Sequence, residues 1–185
     1  SYGGNMQSFG RIAQNVLYYH EGKASPIPQD QLNYANAMKV PAGIRKTGPW
    51  VVTYSGIIAP GVSQNNFFLD RQANFSVFHK KTGLIISGAN SKRQPELATF
   101  SEITPTGSIH MPVSSYFKMT AKADKLALAY NVFFATLQVP KPSANQLKFI
   151  INTTYKLDSA TSFMNTQLML IAGKTLETGT GHKIV

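Results

Sequence analysis

The stretch that decides the fold is VSSYFKMTAKADKLALAYNVFFATLQVP, residues 113–140. Large apolar side chains alternate with small or polar ones from Val113 to Thr120 and again from Leu126 to Phe134, and Pro140 ends the second run. This period of two is typical of strands with one buried face, and proline cannot donate to a sheet ladder. We therefore expect two long strands here. The buried face of the second should carry Leu128, Tyr130, Val132 and Phe134.

The same alternation extends outward in both directions from this stretch. Downstream, residues 147–154 should place Phe149 and Ile151 beside the predicted core face, and residues 163–171 form a further strand. Upstream, strands are predicted at residues 50–55, 67–70, 73–79 and 84–86, with a hairpin turn at residues 80–83. Repeated strands without an intervening helical period predict a mainly β, antiparallel fold, either a sandwich or a barrel. We expect the antiparallel β-sandwich, and the family resemblance described below implies the super-sandwich kind.

The first 22 residues follow a different period. Their apolar side chains recur every three or four positions, which predicts one stripe of an amphipathic helix; these are Phe9, Ile12, Ala13, Val16, Leu17 and His20. The proline-containing segment KASPIPQDQ follows and reads as a connector. The predicted organisation is therefore a helix at 1–22, a linker at 23–31 and a β-sandwich at 32–185.

Composition limits the classes of function open to this chain. A hydrophobic content of 43% with 14% charged residues fits a globular domain. Cysteine is absent and the four histidines lack ligand spacing, so we expect no disulfide, no metal and no other cofactor. No apolar run reaches the roughly 18–20 residues of a membrane span. Phosphate-binding loops and the common hydrolase motifs are missing as well.

Positive charge is the most distinctive chemical feature of the sequence. The net charge is +10, and the window 39–93 contains eight basic residues but only Asp70 as an acid, so it supplies seven of these charges. Such a bias favours polyanionic partners, namely an acidic polysaccharide, nucleic acid or an anionic membrane surface, although a basic surface that serves solubility is the plainer alternative. Nucleic acid ranks last because most aromatic side chains alternate into predicted core faces, which leaves few for base stacking.

A candidate site follows from the densest part of this window. The polar loop GANSKRQPE at 88–96 carries amide and basic groups suited to carboxylates or sulfates. His79 is the best proton carrier nearby because its ordinary pKa lies near neutrality, although a packed or solvated histidine is the common case. We therefore predict one acidic-glycan site with His79 as the catalytic residue and four substrate-binding residues, Arg71, Asn90, Lys92 and Arg93.

Three segments resemble the C-terminal part of heparinase II/III-like proteins. They are YGGNMQSFGRIAQNVLYYHEG (2–22), VPAGIRKTGPWVVTYSGI (40–57) and FFLDRQANFSVFHKKTGLIISGANSKRQPELATF (67–100). In polysaccharide lyases of that kind a helical toroid precedes an antiparallel β-sandwich. The resemblance implies that residues 1–22 are the end of an upstream helical domain of the same protein. It carries over no catalytic position, because the main catalytic residues of such lyases lie largely on the toroid.

The function that this resemblance implies is β-elimination on a uronic-acid polysaccharide. This reaction needs a group that neutralises the uronate, a base for the C5 proton and an acid for the departing oxygen. The chain is thus expected to be part of a secreted or periplasmic polysaccharide lyase. The alternative is a non-catalytic carbohydrate-binding or structural β-sandwich module.

Overall fold

The computed structural model describes residues 3–22, 31–58, 72–88 and 97–155, together with short strands at 163–166, 169–170, 176–177 and 183–184. The chain divides into two compact units, Ser1–Asp30 and Gln31–Val185. The first unit contains one helix, α1 (Gly3–Leu17), as the spacing of its apolar residues predicts. Ile12, Val16 and Leu17 of this stripe are exposed to solvent.

The second unit is built from strands. Its first eight are β1 (Asn33–Ala37), β2 (Ala42–Thr47), β3 (Trp50–Ser55), β4 (Asn74–His79), β5 (Gly83–Ser87), β6 (Phe100–Ile103), β7 (Ile109–His110) and β8 (Ser114–Met119). The remaining strands are β9 (Ala123–Ala129), β10 (Phe133–Pro140), β11 (Ile150–Tyr155), β12 (Phe163–Thr166), β13 (Met169–Leu170), β14 (Leu176–Glu177) and β15 (Lys183–Ile184). The strand predicted at 67–70 lies outside the described residues.

The strands pair antiparallel throughout the described sheets, so the prediction of a mainly β, antiparallel fold is confirmed. The largest sheet has the order β1-β2-β3-β4-β5-β13, and a second has the order β11-β10-β9-β8. Two smaller sheets contain β12-β6-β7 and β14-β15. The predicted hairpin turn lies between β4 and β5, where Gly83 adopts the left-handed conformation (φ 79°) that glycine tolerates best.

One hydrophobic cluster joins the inner faces of the six-stranded and four-stranded sheets, an arrangement compatible with a sandwich. The six-stranded sheet contributes Val52, Tyr54, Phe75, Val77 and Ile86, and the four-stranded sheet contributes Leu126, Leu128, Phe133, Ala135, Leu137 and Val139. The approach of the two sheets is close, because a Cβ added at Gly56 after β3 would lie 2.8 Å from Leu126 Cδ1. Burial of this cluster is the main stabilising contribution to the fold.

One part of the predicted core is wrong. Leu128 and Tyr130 are buried as expected, but Phe134 is 46% exposed and its neighbour Phe133 is fully buried. The predicted continuous strand is in fact a hairpin, in which the Tyr130 N–H donates to the Phe133 carbonyl at 2.9 Å. Leu128 then pairs with Ala135. Because the side-chain period is two, this reversal exchanges the faces of every residue in β10.

Candidate functional site

Four of the five residues in the predicted site lie outside the described residues, namely Arg71, Asn90, Lys92 and Arg93. Their proximity to His79 stays a prediction. His79 is the last residue of β4 and pairs with Trp50 of β3, and the two ring centroids lie 4.5 Å apart. The imidazole is half-buried against this indole ring.

The hydrogen bond at His79 Nδ1 fixes which nitrogen carries a proton in the neutral ring. The Lys81 N–H donates to Nδ1 at 3.2 Å, and Thr82 Oγ1 lies 3.3 Å from the same nitrogen. Since Nδ1 accepts here, the proton of the neutral imidazole resides on Nε2. In this arrangement the neutral ring can donate a hydrogen bond from Nε2, but the lone pair of Nδ1 is already occupied.

A second histidine lies beside a buried carboxylate and is absent from the predicted site. Glu102 of β6 pairs with His110 of β7, and the Glu102 side chain is 2% exposed. Its Oε2 accepts the backbone N–H of Asn131 at 3.0 Å, and its Oε1 lies 3.5 Å from His110 Nδ1. The His110 side chain is 42% exposed, so this pair joins a buried carboxylate to a solvent-accessible imidazole.

The position of the His110 proton determines which neighbour the ring contacts. Asn131 Nδ2 lies 3.3 Å from the same Nδ1. A protonated Nδ1 donates towards Glu102, whereas an unprotonated Nδ1 accepts from the Asn131 amide. The neutral His110 ring can therefore carry its proton on Nδ1, which then faces Glu102, or on Nε2, which leaves Nδ1 to accept from Asn131. Sequence spacing could not predict this cluster, because Glu102 and His110 meet only through the register of β6 with β7.

The charge of Arg45, which the sequence places in the basic window, is neutralised inside the protein. Arg45 Nε donates to Asp124 Oδ2 at 2.7 Å, and its Nη2 donates to Asp124 Oδ1 and to the Thr120 carbonyl, each at 2.6 Å. The Arg45 side chain is 7% exposed and that of Asp124 is 0% exposed. The hydrogen bonds that Arg45 donates to the Asp124 carboxylate raise the pKa of Arg45 above its ordinary value. This residue contributes no charge to the protein surface.

The described surface of residues 31–155 nevertheless carries charge of one sign. Its two carboxylates, Glu102 and Asp124, are 2% and 0% exposed. Its exposed charged side chains are all lysines: Lys39, Lys80, Lys81, Lys118, Lys122, Lys125, Lys141 and Lys148. An anionic ligand would meet no exposed carboxylate on the part of this surface that the structure describes.

Four of these lysines gather at one end of the four-stranded sheet, and we call them the lysine cluster. Lys118 of β8 lies directly opposite Lys125 of β9, with both side chains on the solvent face. Lys122 occupies the turn between these strands, and its carbonyl accepts the N–H of Lys141 at 2.8 Å. Like charges placed directly opposite one another destabilise a sheet, and a bound anion would relieve this repulsion.

The lysine cluster was not among the predicted residues, although its sequence signal is visible in KMTAKADK at 118–125. The segment lies outside the window with the densest charge. Its lysines become neighbours only once β8 and β9 form a hairpin. Among the described residues, the lysine cluster holds four of the eight exposed lysines.

A comparison with protein-family models, with curated proteins and with solved structures gave no match for this chain. Among the described residues, no helix combines the length and apolar character needed to cross a membrane.

Proposed function

We propose that this chain is the β-sandwich part of a polysaccharide-lyase-like protein that acts on an acidic, uronic-acid polysaccharide outside the cytoplasm, secreted or periplasmic. The observation that carries the proposal is that all the exposed charged side chains of the described residues 31–58, 72–88 and 97–155 are lysines, four of which form the lysine cluster at the end of a sheet. A polyuronate presents a carboxylate on each sugar, and a row of ammonium groups without competing carboxylates complements such a chain.

The proposed chemistry assigns separate tasks to separate groups. In β-elimination, the lysines would neutralise the uronate carboxylate, and a histidine would carry a proton. His79 can contribute a hydrogen bond from Nε2 to a sugar oxygen, because its Nδ1 already accepts a hydrogen bond. His110 has both an acceptor and a donor within reach of its Nδ1, but it could serve only a sugar residue that the lysine cluster does not hold.

One observation favours the second candidate, a non-catalytic binding module. Lys122 precedes β9, whereas Asn131, the neighbour of His110, follows the other end of the same strand. The six steps along β9 correspond to about 20 Å at the rise of a β-strand. The lysine cluster and His110 therefore cannot act on the same sugar residue, so the described residues support binding more directly than turnover.

The test measures binding of the 185-residue chain to alginate, to a heparin-like glycan and to a neutral glucan at two salt concentrations. Absorbance of unsaturated uronate products is followed in parallel. We expect binding to alginate that weakens at high salt, because salt screens exposed charges beyond about 8–10 Å, and no binding to the glucan. Product formation would identify a lyase, whereas binding without product would identify a module.

Matched variants locate the binding surface. Lys118→Gln/Lys125→Gln should weaken alginate binding about tenfold, since two exposed charge contacts of up to about 1 kcal/mol each are lost. Lys80→Gln/Lys81→Gln removes the same charge from the β4–β5 turn and should bind nearly as the parent does. Lys92→Gln/Arg93→Gln tests the predicted loop. Equal losses in all three variants would indicate unspecific attraction and contradict the assignment to the lysine cluster.

A further inference from the structure

An open groove lies on the solvent face of the four-stranded sheet, beside the lysine cluster. Its volume is about 210 Å³, the space of several water molecules. The side chains that surround it on this face are Ser114, Tyr116, Ala127, Ala129, Phe134 and Thr136. Strand register explains the groove, because Tyr116 pairs with Ala127 while Phe134 pairs with Ala129. Two small side chains on β9 therefore form a floor between aromatic side chains on β8 and β10.

The two aromatic walls are both accessible to solvent. Tyr116 is 56% exposed and Phe134 is 46% exposed. They lie two strands apart and two residues apart along the strand direction, which corresponds to about 12 Å between their Cα positions. Rings at this separation cannot stack on each other, but they can enclose one flat, partly apolar ring between them. The alanine floor provides the depth for such a ring.

The groove continues into charged and polar surroundings. Lys118 and Lys125 form the adjacent row of the same face, two residues along each strand from Tyr116 and Ala127. Two residues span about 7 Å, within reach of an extended lysine side chain. On the other side, Asn152 and Thr154 of β11 lie opposite Thr136 and Phe134. The groove is thus an apolar slot with hydroxyl and amide groups at one edge and ammonium groups at one end. Such a slot suits a sugar that carries a carboxylate.

We infer that this groove is a subsite for a single uronate pyranose ring. The apolar C–H face of the sugar packs on Tyr116, with Phe134 as the opposite wall, and its carboxylate points to Lys118 and Lys125. This inference rests on the proposed binding of an acidic polysaccharide and specifies where and how that binding occurs. A neutral sugar would fill the slot but leave the lysines without a partner.

The shape of the groove also distinguishes this occupant from nucleic acid. A single strand binds through successive bases, each stacked on its own aromatic platform along the backbone path. Here two walls face one slot, and the lysines lie at its end instead of running along it. One ring with an anionic substituent fits this arrangement better than a run of stacked bases.

The test uses a short oligouronate from alginate and measures affinity by calorimetry on the full chain. Tyr116→Ala should lower the affinity about tenfold, the loss typical of a central aromatic contact, whereas Tyr116→Phe should retain it. Ala127→Leu fills the floor while leaving every charge and both aromatic rings in place, and it should lower affinity by a similar factor. Far-ultraviolet circular dichroism and thermal unfolding confirm that each variant is folded.

The dependence of affinity on salt distinguishes the aromatic contact at Tyr116 from the electrostatic contact at Lys118 and Lys125. The loss in Tyr116→Ala should persist at high salt, while the loss in Lys118→Gln/Lys125→Gln should shrink. If the parent binds but Tyr116→Ala and Ala127→Leu bind equally well, the groove is not the subsite and the proposed function stands. If the parent fails to bind any polyuronate, both proposals are wrong. Tighter binding of a single-stranded oligothymidylate than of the oligouronate would also overturn the assignment.

Discussion

Arg45 and Asp124 form a buried ion pair that links β2 of one sheet to β9 of the other. Both charges are withdrawn from water, and three hydrogen bonds that Arg45 donates compensate for the lost hydration. Such a pair adds little net stability over well-packed apolar residues, but removing one partner leaves an uncompensated buried charge. The stability of the fold therefore depends on keeping both partners or removing both, because either charge alone would be buried without compensation.

Asp124→Asn should lower the free energy of unfolding by about 3–5 kcal/mol, because Arg45 stays buried and loses its counter-charge. The double variant Arg45→Met/Asp124→Val should recover most of this loss, since it removes both charges at similar total volume. Urea unfolding measures both effects. Lys125→Gln, one residue away on the solvent face, is the control and should change stability by less than about 0.5 kcal/mol. A loss below about 1 kcal/mol in Asp124→Asn would contradict the buried pairing.

At the scale of elements, the β9–β10 hairpin determines which residues reach the core. The turn between Ala129 and Phe133 brings Ala129 opposite Phe134 on the outer face. Two neighbouring phenylalanines thereby acquire opposite roles. Phe133 packs on Tyr130, with ring centroids 4.4 Å apart, whereas Phe134 borders the surface groove.

Phe133→Ala should destabilise the protein by about 3–5 kcal/mol, because a fully buried aromatic side chain leaves a cavity in the core. Phe134→Ala removes the same atoms from a half-exposed position and should cost less than about 1 kcal/mol. Denaturant unfolding of the two variants compares one chemical change on the two faces of one strand. Equal losses would mean that the register of β10 is not the one described.

The sequence predicted the individual strands better than their pairing. Alternation and Gly83 were sufficient for β3, β4, β5 and their turn, because local pattern and turn chemistry agree there. The β9–β10 turn escaped prediction because Tyr130 and Val132 continue the apolar alternation through it. A turn of this kind is visible only when the cross-strand partners are known, since register is a non-local property.

The sequence indicates the positive charge of the chain, whereas the proximity of the predicted site residues to His79 stays a prediction. Positive charge indicated an anionic partner, yet composition cannot tell a buried Arg45 from an exposed lysine. The pairing of Lys118 with Lys125, and of Glu102 with His110, depends on strands that are adjacent in the sheet. The face on which Tyr116 lies follows from the same register. Each of these contacts requires the folded arrangement, so sequence spacing alone could not supply it.

At the scale of the whole molecule, two buried tyrosines couple stability to alkaline pH. Burial raises the pKa of Tyr54 above its ordinary value, and the Asp124 carboxylate raises it further. Burial also raises the pKa of Tyr130, with a further contribution from the Glu102 carboxylate. Both hydroxyls therefore stay neutral in the folded protein at a pH where they would ionise in the unfolded chain.

The free energy of unfolding should fall as the pH rises above about 10, the ordinary tyrosine pKa. A raised pKa in the folded state means that the contribution is fully present below this value and is lost above it. Tyr54→Phe and Tyr130→Phe should each reduce the steepness of this loss, measured by denaturant unfolding between neutral and alkaline pH. Tyr116→Phe, at an exposed tyrosine, is the matched control and should leave the steepness unchanged. Parallel pH profiles in all the variants would contradict the assignment.

The buried ion pair has a further consequence for the order in which the chain folds. Arg45 and Asp124 are 79 residues apart, so closing the loop between them costs more chain entropy than forming either local hairpin. We expect the hairpins to form first and the two sheets to dock last, with the ion pair absent from the transition state. Its loss in Asp124→Asn should then accelerate unfolding and leave the refolding rate nearly unchanged, which stopped-flow kinetics would measure. The ion pair would thus determine how long the folded protein lasts, although it has little influence on how quickly the protein folds.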